Sequence, residues 1–243
     1  MKCICSLTEY PENHYNDPMA VKSTGNCYLC SASLGKTAMK NHLSRLHTEE
    51  AEQECCLLKI EGFGKKNYWL YADVPVDRTL TVVDAFLRRI WLECCGHLSE
   101  FYVCTSAERF GFSGRQKMSS GIKLGDFKKG DTFFHMYDFG STTETDITVI
   151  GRTWRKSQRS IVRLLARNAP PVFECAECGK PASYVCIPYM EPIGNIYRCW
   201  KCTGDKDDDG EYVMHPISNS PRMGVCGYDG ELDTFEFQSW KIK

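Results

Sequence analysis

The spacing of apolar positions changes along this chain, and each change marks an element. Leu57 to Phe63 and Tyr68 to Val74 are strand-like runs on either side of Gly64-Lys65-Lys66-Asn67, which predicts a hairpin. From about Thr81 the period lengthens. Val83, Phe86, Ile90 and Cys94 recur at three- and four-residue steps, with Leu87 and Trp91 widening the stripe, so a helix is expected there. Thr81 is placed to cap it, and Asp84 suits its positive end. His97 to Val103 reads as a further strand, and Thr132 to Tyr137 with Thr145 to Ile150 as a second hairpin around Asp138-Phe139-Gly140-Ser141. Residues 156 to 167 are expected as a basic helix with Ile161, Leu164 and Leu165 facing inward, stopped by Pro170 and Pro171. Hairpin, helix and further strands make an α+β core. Their order suggests a β-grasp-like layout, a mixed sheet with a helix across one face.

Two dissimilar ends flank this core of residues 55–168. Residues 1–50 are expected to hold a leader and a small finger, followed by an acidic, helix-friendly linker from Glu49 to Glu54. Residues 172–243 form a cysteine-rich tail, and no internal repeat relates the ends. A chain that is 42% hydrophobic and 12% aromatic can build an ordinary core. No apolar run approaches about 20 residues, so no transmembrane helix is expected. Met1 to Ser6 is not followed by the apolar run of a signal peptide. The expectation is a cytoplasmic chain without membrane contact, where paired cysteines bind metal more often than each other.

The chain has 15 cysteines, and six of them fall into two sets with metal-ligand spacing. Cys27 and Cys30 form a C-x2-C pair, and His42 and His47 follow as H-x4-H on an expected helix. The gap between the pairs is 11 residues, with Leu34 and Met39 at mini-core positions. That pattern predicts a C2H2-type zinc finger with one residue fewer than the usual gap of about 12. In the tail, Cys175 and Cys178 precede Cys199 and Cys202 by a gap of 20 residues. Two such pairs predict a four-cysteine, zinc-ribbon-like module. Four protein ligands close a zinc site and leave no position for a reacting water, so about two structural Zn2+ ions per chain are expected. Cys3, Cys5, Cys186, His215 and Cys226 are further possible ligands without a complete set. Cys55, Cys56, Cys94, Cys95 and Cys104 fit small buried hydrophobes.

Net charge is −1, so bulk charge does not make the chain a polyanion binder. Arg152, Arg155, Lys156, Arg159, Arg163 and Arg167 nonetheless run without an intervening acid, which suits a solvated helix face. Lys36, Lys40 and Arg45 on the finger and Arg155, Arg159 and Arg163 on the basic stretch are the candidate contacts to a partner, protein or nucleic acid. Several short signals fail. Asp138-Phe139-Gly140 lacks the other kinase elements, Gly35-Lys36-Thr37 lacks the first glycine of a phosphate loop, and the Asp205 to Gly210 run has Pro216 where a calcium loop needs glutamate. An enzyme site, hydrolytic or nucleic-acid-processing, would be built from His97, Glu100, His135, Tyr137 and Asp138 if those strand residues converge. A thiol redox sensor is the third reading.

His97-Leu98-Ser99-Glu100-Phe101 after a Trp-bearing helix, Tyr137 to Glu144 before a strand, and Asn219-Ser220-Pro221-Arg222-Met223-Gly224-Val225-Cys226-Gly227-Tyr228 form a set. With them, residues 27 to 230 resemble the Ri-plasmid ORF-three-like family of insertion-element passenger proteins, in the subgroup with added cysteine modules. The resemblance implies an α+β core and a link to plasmids or mobile elements, and no known reaction. A serine recombinase is not expected, because no arginine precedes Arg45 to surround Ser6 or Ser23. Unlike relatives with a cysteine pair near position 186, this chain has Cys186 followed by Ile187 to Met190. The expectation is therefore a zinc-stabilised, non-enzymatic adaptor.

Overall fold

The computed structural model describes residues 23–47, 51–104, 114–156, 161–188, 196–203 and 212–230. The leader, Cys3, Cys5, Arg159 and the Asp205 to Gly210 run lie outside these residues. The chain is α+β, with mostly antiparallel sheet and few helices. The segment expected as a finger, and called so below, contributes β1 (Thr24–Cys27), β2 (Ser33–Gly35) and helix α1 (Lys36–Leu46). Then come β3 (Gln53–Gly62), β4 (Trp69–Pro75) and α2 (Leu80–Leu87), which runs into a π-helical turn at Arg88–Leu92. The core continues as β5 (Ser99–Cys104), β6 (Arg115–Met118), β7 (Thr132–Tyr137), β8 (Thr143–Arg155) and β9 (Arg163–Asn168). In the tail are β10 (Tyr184–Pro188), β11 (Ile196–Arg198), the short α3 (Trp200–Thr203) and β12 (Tyr212–Pro216).

Nine strands make one sheet, in the order β2-β1-β9-β4-β3-β8-β7-β5-β6, and the tail has its own three-stranded sheet, β11-β10-β12. Every strand pair among the described residues is antiparallel, so the mixed sheet expected from a β-grasp-like layout does not form. The expected helix across one face does. Leu80, Val83, Phe86, Leu87, Ile90 and Trp91 pack on Leu58, Ile60, Leu70, Ala72 and Val74. Both expected hairpins form, β3–β4 and β7–β8.

Strand alternation sends neighbouring residues to opposite faces. Leu70 and Ala72 therefore meet α2, while Trp69 and Tyr71 face the other way, and every residue of β4 is buried. The cover on that second face is the finger. Met39 and Leu43 of α1 pack with Leu57, Trp69, Tyr71, Ile150 and Leu165, and β1 pairs with β9 along Gly25↔Asn168 to Cys27↔Ala166. The finger thus shares both sheet and core with residues 55–168. Gly25 is required at this seam, since a Cβ there would lie 2.1 Å from the Arg167 carbonyl oxygen.

Three expectations fail here. Residues 163–168 are strand β9, not a basic helix. Leu164 and Leu165, placed side by side on a helix, instead enter opposite faces. Thr81 does not cap α2; Thr79 precedes the helix, and Thr81 donates its hydroxyl to Ser120 O. Gln53 and Glu54 begin β3 and are not linker helix. Tertiary pairing outweighs local propensity at each place.

The basic run is buried in part because it has an acid to meet. Arg155 Nη1 donates to Asp73 Oδ1 at 2.8 Å, and Arg163 Nη2 and Nε donate to Oδ2 at 2.6 and 2.9 Å. Arg155 and Asp73 are both fully buried. Removing one partner from such a set leaves an uncompensated buried charge. Asp73→Ala should lower unfolding stability by about 3–5 kcal/mol in urea titration. Lys117→Ala, which breaks an exposed pair with Glu100, should change it by no more than about 0.5 kcal/mol.

Candidate metal centres

All eight ligands expected from spacing converge. In the first set Cys27 ends β1, Cys30 lies in the following turn, His42 is in α1, and His47 is the first residue beyond it. The helix stops there, and His47 leaves helical backbone at φ −118° and ψ 47°, which lets it join His42. Cys27 Sγ is 3.5 Å from His47 Nε2, Cys30 Sγ 3.2 Å from His42 Nε2, and the two Nε2 atoms 2.9 Å apart. In the second set Cys178 Sγ lies 3.7 Å from Cys199 Sγ. Within each set the ligand atoms all lie within 4.8 Å of one another.

These separations suit a tetrahedron. Bonds of about 2.3 Å to sulfur and about 2.0–2.1 Å to nitrogen give edges of roughly 3.8 Å between sulfurs and roughly 3.5 Å between sulfur and nitrogen. A disulfide needs about 2.05 Å between sulfurs. The sets therefore match the spacing of ligands around one ion and not that of a bond.

The two C-x2-C segments adopt the same backbone turn. Ser31 N–H donates to Cys27 O at 2.8 Å and Cys27 N–H to Ala32 O at 2.8 Å. In the tail, Gly179 N–H donates to Cys175 O at 2.9 Å and Cys175 N–H to Lys180 O at 2.7 Å. The residue after the second cysteine is left-handed in both, Ser31 at φ 63° and Gly179 at φ 68°. Glycine accepts that conformation freely, whereas serine adopts it at a cost. Such turns aim backbone N–H groups at sulfur. N–H groups of Cys199, Glu177 and Cys178 pull the Cys175 thiol down to about 6, against some desolvation. Cys202 moves the other way, pushed up by the neighbouring thiols of Cys178 and Cys199. Four sulfurs this close cannot all ionise without a cation among them.

A third set was not legible as a set. Cys94, Cys95, His97 and Cys226 bring their ligand atoms within 4.8 Å of one another. Cys94 and Cys95, expected as buried hydrophobes, are half-buried and exposed. The π-helical turn ends the helix at Leu92, so Cys94 lies beyond it and packs against the core only in part. The available signal was C-C-x-H, but its partner Cys226 is 129 residues from His97. Cys186 is buried on β10 opposite Met214, and His215 pairs with Val185. Neither belongs to any of the three sets.

Of the five enzyme candidates, His97, Tyr137 and Asp138 lie together, with His97 N–H donating to Tyr137 Oη at 3.3 Å, while Glu100 and His135 are engaged elsewhere. His135 is fully buried and bonds Asp84 Oδ1 at 2.7 Å, while Glu100 pairs with Lys117 at 2.6 Å on the surface. Tyr137 donates to Glu93, and His97 lies 3.4 Å from Asp138, whose carboxylate accepts Arg222 at 2.7 Å. A cavity of about 520 Å³ is lined by Phe63, Lys65, Thr142, Glu144 and Cys226 among others, and by none of the five enzyme candidates. Among the contact candidates, Lys40 and Arg45 are exposed, Lys36 pairs with Glu61, and Arg155 and Arg163 are buried. Arg155 and Arg163 are therefore not surface contacts.

No family model matches the chain, and no curated protein matches it. Among solved structures it is similar to a protein of unknown function, MM3350 from Methanosarcina mazei Go1. That likeness has a TM-score of 0.39 at 20% identity, covers 47% of this chain and 69% of the other, and carries no argument. All three Cys/His sets can hold metal ions, and no helix among the described residues is long and apolar enough to cross a membrane.

His135 carries a pH prediction. Desolvation lowers its pKa against the pull of Asp84. Burial alone would raise Asp84, but hydrogen bonds from His135, Ser99 and Arg88 hold it well below the usual carboxylate range. Both groups bind protons more readily when the chain is unfolded, so their contribution is present at neutral pH and lost as pH falls. For His135 the loss begins near its ordinary value of 6.5. Urea midpoints measured between pH 7.5 and 5 should fall less steeply in His135→Gln than in the unaltered chain.

Proposed function

We propose that this chain is a zinc-stabilised binding protein without catalysis of its own, in which a C2H2-type finger and a four-cysteine, ribbon-like tail flank an α+β core. The observation that carries it is the shared turn of the two C-x2-C segments, each closed by two more protein ligands at tetrahedral spacing. A site filled by four side chains holds its ion as scaffold and offers no position to substrate.

Magnitudes favour a scaffolding role. Burying Met39 or Leu43 stabilises by about 1.5–3 kcal/mol each. Structural zinc in finger peptides supplies about 10–16 kcal/mol. A finger of this size leans first on its ion, and the tail, with a core of Phe173, Val185 and Met223, does the same.

The favoured partner is a protein. With Arg155 and Arg163 buried, the exposed finger cations among the candidates are Lys40 and Arg45, few for a phosphate backbone. Large apolar side chains are exposed instead, Leu46 at the end of α1 and Trp200 beside the tail's cysteine set. The link to plasmids or mobile elements rests on the sequence resemblance, and a cytoplasmic setting on the reduced thiols such sites need.

Metal analysis of the full chain tests the scaffold. Zinc should survive dialysis, and Cys178→Ser should lose one ion and make the tail sensitive to protease while α1 stays protected. Protein that is folded but free of metal would overturn the proposal. Binding to duplex DNA should be weak at 50 and 200 mM salt. An affinity falling about 10³-fold or more across that range would make nucleic acid the partner.

A further inference from the structure

We propose that Cys94, Cys95, His97 and Cys226 form a third metal site, taking a thiophilic divalent ion of the zinc class, which fastens the turn around Cys226 to the core. It goes beyond the two centres above and does not depend on them. The sulfur–sulfur distances match a tetrahedral edge, and the imidazole nitrogen lies closer still. Cys95 Sγ lies 3.7 Å from Cys94 Sγ and 3.8 Å from Cys226 Sγ. His97 Nε2 is 2.9 Å from Cys95 Sγ and 3.2 Å from Cys226 Sγ. Three sulfurs and one imidazole nitrogen make a soft donor set, which selects Zn2+ over the oxygen-seeking Mg2+ and Ca2+.

The backbone is bent to bring these groups together. The π-helical turn at Arg88–Leu92 releases the chain into Cys94 and Cys95, and Gly96 at φ 80° returns it to His97. Such turns often accompany functional sites. Cys226 is itself left-handed at φ 51°. Three described non-glycine residues have positive φ: Ser31 in the first metal turn, Cys226, and Asp138, which touches His97. A cysteine held this way needs its surroundings to compensate the strain.

Three thiolates, one neutral imidazole and a divalent cation leave one negative charge; Asp138, 3.4 Å from His97, adds a second, and Arg222 offsets one of the two. Arg222, fully buried, directs Nη2 at Cys94 Sγ at 3.4 Å while the same group binds Asp138. Donors behind the ligands are a regular part of metal sites. Arg222 also donates to Ser141 O and Thr143 Oγ1, so the tail turn and the β7–β8 turn are tied together next to the cluster. Pro221, Gly224, Val225 and Cys226 form one wall of the 520 Å³ cavity. The ion would hold that wall in place.

The test is a count. Zinc and protein measured on the same gel-filtered sample of the full chain should give three ions per chain. Cys226→Ser and His97→Phe should each give two, and His97→Cys, which keeps four ligands, should retain three. In cobalt-exchanged protein, removing this site takes the thiolate ligands from nine to six, so thiolate-to-cobalt absorbance should fall by about one third. Cys30→Ser and Cys178→Ser should each lose a different single ion, which separates failure here from failure of the other centres. Whatever the total, an ion count unchanged in both Cys226→Ser and His97→Phe, or a Cys95–Cys226 disulfide in the unaltered protein, would overturn the proposal.

Discussion

The centre of the large sheet is buried on both faces, and the rest of the molecule follows from covering it. β4 and β9 have no exposed residue, so water must be kept from each side. Helix α2 and its π-helical extension cover one face, and the finger covers the other through Met39 and Leu43. Sheets buried on both faces require two layers of cover. An 11-residue helix is too short to persist alone and must be held by its neighbours and its metal ligands. The finger is therefore a lid on the sheet as well as a candidate metal centre.

That arrangement explains where the arginines went. A run of basic residues near a chain reversal suits a solvated face when read along the sequence. Inside the sheet, alternation turned Arg155 and Arg163 toward Asp73, a carboxylate from β4. The three strands β4, β8 and β9 are each committed to this group, and a register slip in any of them would strand a buried charge. A surface suited to nucleic acid is reduced by the same burial, and apolar side chains remain as the more conspicuous exposed feature.

The tail is tied back to the core by another buried arginine, Arg222. Ser220 Oγ donates to Trp91 O at 2.6 Å, Arg222 reaches Asp138 and Cys94, and Asn219 bonds Asn168. These contacts use the Asn219 to Tyr228 segment that stands out in the sequence, and they place Cys226 beside Cys95 and His97. Hydrogen bonds made by buried charged groups are among the stronger ones. They give the segment a fixed course even before any ion is considered.

Local chemistry was legible from residue order. Cys27, Cys30, Cys175, Cys178, Cys199 and Cys202 announce themselves because a knuckle takes two ligands from within four residues, and His42 and His47 because they lie five residues apart at the end of one helix. The β3–β4 and β7–β8 hairpins were legible for the same reason, since each is a contact between neighbours in sequence. What tertiary structure alone decided were contacts between distant segments. β9 is a strand because β1 and β4 are there to pair with it, Arg155 and Arg163 are buried because Asp73 lies 82 and 90 residues away, and Cys94, Cys95 and His97 meet Cys226 across some 130 positions. Spacing along a chain encodes geometry only while the backbone between two groups is short enough to dictate their separation; beyond that, packing chooses which groups meet.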